Sequence, residues 1–353
     1  MRKLVTKRTL PKGQKVFIGI DVHKKTLSVT CVCEGEVIER VTMGNEAEAL
    51  RRFLKRRFEG AQLYSAYEAG FSGFGLHRHL CRAGIHSIVV HAAAIEVSAR
   101  DRVKTDKRDS LKLAVQLAAG RLQGIRIPTE AEERQRLVSR TRAQLVQERS
   151  RLKNQIRSKF HQFGLIAPTD DRELSLSMVR ALLVQGAPAE VALVVNALVA
   201  VWASINQQLK HLLAELKQQA ERDPSEPTYR SVGGFGVLTA RELSNELGDM
   251  RQFGNERRLF SFTGLTPQEF SSGEHQRQGP ISRQGRSRLR ALLVEAAWRA
   301  LKKDRALATF FARLSARMGK KRAIVAVARK LIGRVRAALR KGELYQCGYG
   351  CTA

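Results

Sequence analysis

Acidic residues are scarce in this sequence: 33 Asp plus Glu stand against 63 Lys plus Arg over 353 residues, a formal charge of +30. So large an excess of one sign makes a compact chain repel itself, and a polyanion relieves the repulsion. Nucleic acid is the partner this predicts. Cysteine is scarce too. Cys31, Cys33, Cys81, Cys347 and Cys351 form no paired framework and no convincing zinc spacing, which excludes a disulfide scaffold and leaves reduced thiols in a cytosol as the expectation. No long apolar region follows the basic N-terminus, and no apolar run reads as long enough to span a bilayer. The expectation is a cytoplasmic chain with no membrane role. With 43% hydrophobic residues, it should fold into two or three domains, each with its own core.

The first third carries short apolar, β-branched runs. Phe17 to Asp21, Thr26 to Cys33 and Val37 to Met43 read as strands, with a turn at Glu34-Gly35. Asn45 is placed to cap a helix through Phe58. Leu63 to Tyr67 and Ile85 to Val90 read as strands, with a helix from Ser72 to Ala83 between them. Helical spacing resumes from Asp106 to Ala119. The order β-β-β-α-β-α-β-α fits a mixed sheet flanked by helices, an α/β ribonuclease-H-like plan.

From Glu132 to Phe163 and from Val191 to Arg222, apolar residues recur at helical intervals, predicting two long helices. They suit an antiparallel hairpin or coiled-coil arm, or an ordinary helical domain. Asp223-Pro224-Ser225-Glu226-Pro227 reads as a linker. The domains expected are therefore 1–125, 126–224 and 225–353. In the last of these, Ser231-Val232-Gly233-Gly234-Phe235-Gly236 precedes an apolar helix and resembles a helix-hairpin-helix element. There Gly234 and Gly236 would let helix amides approach a phosphate, although a tight turn explains the glycines equally well. Between Ile281 and Lys341 the chain holds 19 Arg plus Lys and two acids, Glu295 and Asp304, on helical spacing. Arg277, Arg283, Arg286 and Arg288 are the candidate phosphate contacts, and a mostly α-helical C-terminal domain is expected.

Against this basic background four acids stand out. Asp21 and Glu68 close two apolar strands, and Asp106 and Asp109, three apart, share one face at a helix start. Singly each has a plain explanation: a turn at Val22-His23-Lys24-Lys25 for Asp21, an arginine partner for Glu68, a helix N-terminus capped by Thr105 for the aspartates. Together they predict a site for Mg²⁺, whose hard-oxygen ligands these are, working on phosphodiesters.

Gly19-Ile20-Asp21-Val22-His23-Lys24, Tyr67-Glu68-Ala69-Gly70 and Lys104-Thr105-Asp106-Lys107-Arg108-Asp109 resemble the N-terminal motifs of DEDD-type insertion-sequence transposases of the insertion sequence 110 family. Phe262-Thr263-Gly264-Leu265-Thr266-Pro267, Ser271-Ser272-Gly273 and Gly279-Pro280-Ile281-Ser282-Arg283-Gln284-Gly285 follow in the order of that family's C-terminal domain. The resemblance covers about residues 16 to 340, and Gly233 departs from it where related hairpins often carry proline. It implies a RuvC-like N-terminal domain, similar to Holliday-junction resolvases, with Asp21, Glu68, Asp106 and Asp109 holding Mg²⁺. It also implies a serine nucleophile, matched here by Ser272 rather than its neighbour Ser271. Donor and target double-stranded DNA, an element-encoded non-coding guide RNA, and assembly as dimers and tetramers in a bacterial, nucleoid-associated setting are the further implications.

Other functions were open on the residues alone. A metal-dependent resolvase would use the same acids without a serine, but has no use for the long C-terminal region. A tyrosine recombinase, prompted by His79-Leu80-Cys81-Arg82, fails because the next tyrosine is Tyr229. A non-catalytic RNA-binding protein explains the charge and leaves the carboxylates idle.

Overall fold

The computed structural model describes residues 12–96, 105–270, 272, 275 and 277–348. Lys104, Ser271, Gly273 and Cys351, named above, lie outside them. The chain divides into two compact units, 1–127 and 128–353.

The first unit is a mixed five-stranded sheet with helices. Its elements are β1 (Lys15–Val22), β2 (Thr26–Cys33), β3 (Glu36–Gly44), α1 (Ala47–Arg57), β4 (Gln62–Glu68), α2 (Gly75–Arg82), β5 (His86–Val90) and α3 (Asp106–Ala118). The strand order is β3-β2-β1-β4-β5, with β1–β2 and β2–β3 antiparallel and β1–β4 and β4–β5 parallel. This is the element order that the apolar runs predict. Alternation sorts the side chains. Val16, Ile18, Ile20, Leu27, Val29 and Cys31 face one side and build a core with Leu50 and Leu54 of α1 and Leu76 and Leu80 of α2. Burial pushes the Cys31 thiol up to about 12, so it behaves as a small apolar side chain and not as a ligand.

The other face belongs to α3, and Gly19 is the reason it fits. A Cβ at Gly19 would lie 1.9 Å from the Ser110 carbonyl oxygen and 2.5 Å from the Ala114 nitrogen. The helix backbone therefore rests directly on β1. A hydroxyl pair, Thr30 Oγ1 to Ser110 Oγ at 2.8 Å and buried, fastens the same turn to β2.

Local expectations fail at the helix starts. Asn45 does not cap α1; its side-chain amide donates to the His23 carbonyl at 2.8 Å, and Glu46 occupies the N-cap without a side-chain bond. Thr105 stands at the N-cap of α3, but only its backbone carbonyl serves the helix, accepting from Arg108 and Asp109.

The second unit is mostly helical. A reciprocal capping box, Thr129 with Glu132, starts α4 (Glu130–Gln162). Then come α5 (Leu176–Val184), which the sequence pattern missed, and α6 (Ala189–Arg222). Ile156 and Phe160 of α4, Val179 of α5, and Val191, Val195 and Trp202 of α6 form one core. By length and composition α6 could cross a membrane, with a mean hydropathy of 1.7 in its most apolar window, contrary to the expectation that no such run exists.

Nor is the segment 223–227 a linker. It leads into α7 (Glu226–Arg230), which is followed by α8 (Val237–Leu247). Arg241 of α8, 1% exposed, donates to Asp223, to Glu226 at 3.3 Å and to Asn245 at 3.0 Å. Asp223 also accepts from Ser244 and from the Ser225 amide. Burial raises its pKa, but these donors outweigh burial and hold it below the usual carboxylate value. The composition of a linker therefore hides a buried ionic network, whose rupture by removing one partner costs about 3–5 kcal/mol.

The rest is α9 (Glu256–Thr263), a ribbon of β6 (Pro267–Glu269) and β7 (Gln278–Ile281), α10 (Ser287–Ala300), α11 (Arg305–Met318) and α12 (Lys320–Lys341). Leu243, Leu247, Leu259, Leu293, Ala297, Leu331 and Val335 are among its core residues.

The seat of α3 gives a direct test. Gly19→Val must push the helix backbone away, an overpacking cost of about 1–3 kcal/mol or more. Urea unfolding should show that loss, and hydrogen exchange should show weakened protection of the amides of α3 while those of α1 stay protected.

Candidate active site

Three of the four acids gather at one end of the first unit's sheet. Asp21 follows Gly19 by two residues on β1 and so points to the α3 face. Because α3 begins over this end of β1, its first turn brings Asp106 and Asp109 to the same place. His23, in the turn after β1, joins them: its Nε2 lies 3.1 Å from Asp21 Oδ2 and 3.2 Å from Asp106 Oδ2. One ligand atom each from Asp21, His23 and Asp106 falls within 4.8 Å of the others, close enough to share one cation. Asp109 is held by Lys112 of the next turn, 3.4 Å away.

The electrostatics show the crowding. Asp21 is raised above the ordinary carboxylate pKa, first by burial. His23 opposes this with charge and a hydrogen bond, while Asp106 and Asp109 add to it by repulsion.

Glu68 arrives by register. Ile20 pairs with Tyr67 on the parallel strand, so Asp21 and Glu68 come next, side by side and on the same face. Glu68 is exposed, and among the described residues no arginine pairs with it. In the sequence the four acids stand out as candidate ligands, whereas His23 appears only within a turn and a family-like motif, with no role of its own. Its signal was the spacing Asp-x-His at a strand end, which becomes meaningful once Asp106 is known to lie opposite.

In the second unit, Ser272 lies at the far end of the β6–β7 ribbon. Phe270 N donates to Arg277 O at 2.8 Å, and beyond it Ser272 and His275 exchange two backbone hydrogen bonds, each 3.2 Å. Paired residues of an antiparallel ladder share a face, so Ser272 and His275 lie on the same side of the ribbon. Both residues are exposed.

The motif glycines around this ribbon have a packing role. A Cβ on Gly264, which ends α9 in the left-handed region (φ 67°), would meet the Gln284 carbonyl oxygen at 1.9 Å; one on Gly285 (φ 88°) would meet that of Phe262 at 2.5 Å. The two segments pack backbone on backbone, and Ser282 N donates to Thr266 O at 2.8 Å.

The predicted phosphate contacts divide. Arg277 is exposed on the ribbon, and Arg283 takes a left-handed conformation (φ 54°) just after it. Arg288 is paired with Glu242 of α8 at 3.0 Å and Arg286 with Glu246 at 3.3 Å, each side chain about half exposed. Gly234 (φ 93°) is fixed by packing, since a Cβ would lie 2.7 Å from that of Arg299. At Gly233 the crowding is with Lys303, at 2.5 Å, whereas Gly236, at the start of α8, faces open space.

The raised pKa of Asp21 has a stability consequence. A raised group contributes stability below its unfolded pKa and loses it as pH rises through the folded value. The metal-free chain should therefore gain stability at pH 7 from Asp21→Asn, and the gain should vanish below about pH 4, where the wild-type carboxyl is neutral in both states. Thermal melts across that range check it.

Two family models match the chain: a DEDD-type IS110 transposase model over residues 18–164, and the Transposase IS116/IS110/IS902 family over residues 228–312. They span the carboxylate cluster and the serine ribbon respectively. The chain is 30% identical to a Sinorhizobium fredii protein named "Putative transposase y4rJ" over 90% of each chain. It is 30% identical to another from that organism, "Putative transposase y4qE", over 82% of this chain and 73% of the relative. It is also 28% identical to the transposase for insertion sequence element IS1111A of Coxiella burnetii, over 69% of each. On this similarity, carried across both units, the chain belongs to the IS116/IS110/IS902 family of insertion-sequence transposases.

Proposed function

We propose that this transposase cuts and rejoins DNA with Asp21, Glu68, Asp106 and Asp109 as a Mg²⁺-holding set and with Ser272 as a nucleophile that takes a DNA end covalently. The observation that carries this reading is the gathering of Asp21, Asp106 and Asp109 around one strand end in a chain short of acid. Carboxylate oxygens are the donors Mg²⁺ prefers, and repulsion among these acids is what a cation would relieve. The bound ion would polarise the phosphate under attack.

The chain's own groups supply the rest. Asp21 and Glu68, on adjacent strands, and Asp106 and Asp109, on a helix seated without a spacer, are held on rigid elements as a ligand set requires. His23 orients Asp21 and Asp106 by bridging them. Ser272 Oγ bonds to phosphorus as the bond from phosphorus to one bridging sugar oxygen breaks. His275 is the imidazole placed to take the hydroxyl proton. A sugar hydroxyl of the other DNA end then attacks the phosphoserine, which joins the ends and returns Ser272 to its free form.

Donor and target duplex DNA are the substrates in this reading. A structured guide RNA encoded by the element selects them, and the chain acts as a dimer or tetramer. Arg277, Arg283 and the amides beyond Gly236 are the first phosphate contacts, with Gly234 shaping that turn. Arg286 and Arg288 offer the guanidinium edges that Glu246 and Glu242 leave open.

A suicide-substrate reaction run on a denaturing gel tests the chemistry. Wild type should yield protein joined to a strand end. Ser272→Ala should lose that adduct while retaining Mg²⁺ binding by calorimetry, and Glu68→Gln should lose cleavage by at least about 100-fold. Full cleavage by Ser272→Ala with no protein attached would instead leave water as the nucleophile and the resolvase chemistry standing.

A further inference from the structure

On the α3 face of the first unit, the sheet is not covered all the way to its β3 edge. A cleft of about 290 Å³ remains there, lined by Ser28, Thr30, Arg40, Thr42, Lys107 and Ser110 together with two valines. Its chemistry is one-sided: four hydroxyls and two cations, with no carboxylate. Among the described residues neither Arg40 nor Lys107 makes an ion pair, in a unit where Arg51, Arg57 and Lys112 all do.

Register ties the cleft to the acids. Asp21 pairs with Ser28, and Ser28 with Thr42, so the three side chains form one row across β1, β2 and β3 on one face. Gly19, Thr30 and Arg40 form the next row. Lys107 overhangs from α3, adjacent in sequence to Asp106. Walking outward from Asp21 along its row, the surface thus changes from carboxylate to hydroxyl and then to hydroxyl beside cation. A polyanion crossing this end of the sheet meets repulsion at the acids and attraction two strands away.

We propose that this cleft is a phosphate subsite, holding one backbone phosphate of the DNA strand while another phosphate of the same strand, a few nucleotides away, reacts at the carboxylates. This rests on reading the carboxylate row as the reacting site. At a strand spacing of about 4.8 Å, β3 lies ~10 Å from β1. Measured along the duplex axis, one strand advances about 3.4 Å per nucleotide, so a duplex lying along the row sets the bound phosphate about three nucleotides from the reacting one. Arg40 and Lys107 neutralise it, and the hydroxyls of Ser28 and Thr42 donate to its oxygens. The device sets register: a strand anchored here presents one particular phosphate to Asp21 and Asp106.

Binding of the full chain to a short fluorescein-labelled DNA duplex, followed by anisotropy over a salt series, tests this. R40Q/K107Q should lower the slope of log affinity against log salt by about one, because the two cations neutralise a single phosphate. K55Q/R56Q removes the same charge from the exposed side of α1, on the other face of the sheet, and should leave the slope near wild type. Equal slopes for wild type and R40Q/K107Q overturn the subsite, as do equal losses in the two double variants. A loss confined to an RNA transcript of the element's flank, with the DNA slope unchanged, overturns it as well. Asp21→Asn is assayed alongside for cleavage. Retained cleavage there overturns the carboxylate reading itself, which the salt slope does not depend on, so the two failures are told apart.

Discussion

The contact between the backbone of α3 and Gly19 of β1 governs the geometry of the first unit. Helices normally stand off a sheet by the thickness of two side-chain layers, about 10 Å. Here one layer is missing at Gly19, because the helix carbonyl of Ser110 occupies the space a Cβ would need. The closer approach lets the first turn of α3 reach the end of β1, so Asp106 and Asp109 stand over Asp21 and His23 can bridge two of them. Any side chain at this position would have to push the helix backbone, and the carboxylates it carries, away from β1. The glycine two residues before Asp21 is thus a condition for the cluster, and the buried Thr30–Ser110 hydroxyl pair fixes where along the strand the helix sits.

A second regularity concerns how scarce acid is used. In the second unit the buried acids are matched with arginine: Asp223 and Glu226 with Arg241, Glu242 with Arg142 and Arg288, Glu246 with Arg140 and Arg286, Asp304 with Arg334. Burial raises the Glu246 pKa, yet Arg140 first and then Arg286 and Arg136 hold it below its usual value. These acids are structural cement between helices, α8 carrying Arg241, Glu242 and Glu246 toward different neighbours. Asp21, Glu68 and Asp106 have no arginine partner among the described residues, although arginine is abundant. Two of them face each other across a histidine. The contrast with the arginine-paired acids of the second unit is what makes this cluster the candidate site.

How much of this was legible in the sequence follows from the range of each interaction. The five strands and α1 to α3 were readable because period-two alternation and the 3.6-residue helical period are both local. The four acids were readable because each closes or opens such an element. His23 was not, since its meaning depends on Asp106, 83 residues later. The stretch 223–227 misled because Asp, Pro, Ser and Glu are turn formers by local preference. Only Arg241, which comes later in the chain and is itself buried, turns them into a core network. Asn45 misled in the same way: a good cap residue was taken by the nearer carbonyl of His23. The helix α5 escaped because nine residues are too short for periodicity to declare itself.

The family motifs themselves divide along this line. Gly264 and Gly285 belong to motifs that resemble the family's C-terminal domain, and each is explained by a carbonyl oxygen pressed against its α-carbon, which locks α9 to the segment after β7. Gly234 is likewise fixed by Arg299 and a left-handed φ. Gly264 and Gly285 thus close the base of the β6–β7 ribbon by packing, while Gly234 packs against α10. Gly236 differs: nothing lies within 4 Å of the Cβ it lacks, and its φ of −86° is open to any residue. Neither packing nor backbone strain accounts for a glycine there. A bare helix start with no side chain in the way is, however, what an approaching phosphate requires, because the amides of the first turn have no intrahelical partner. Of these four glycines, packing accounts for Gly234, Gly264 and Gly285 and does not account for Gly236.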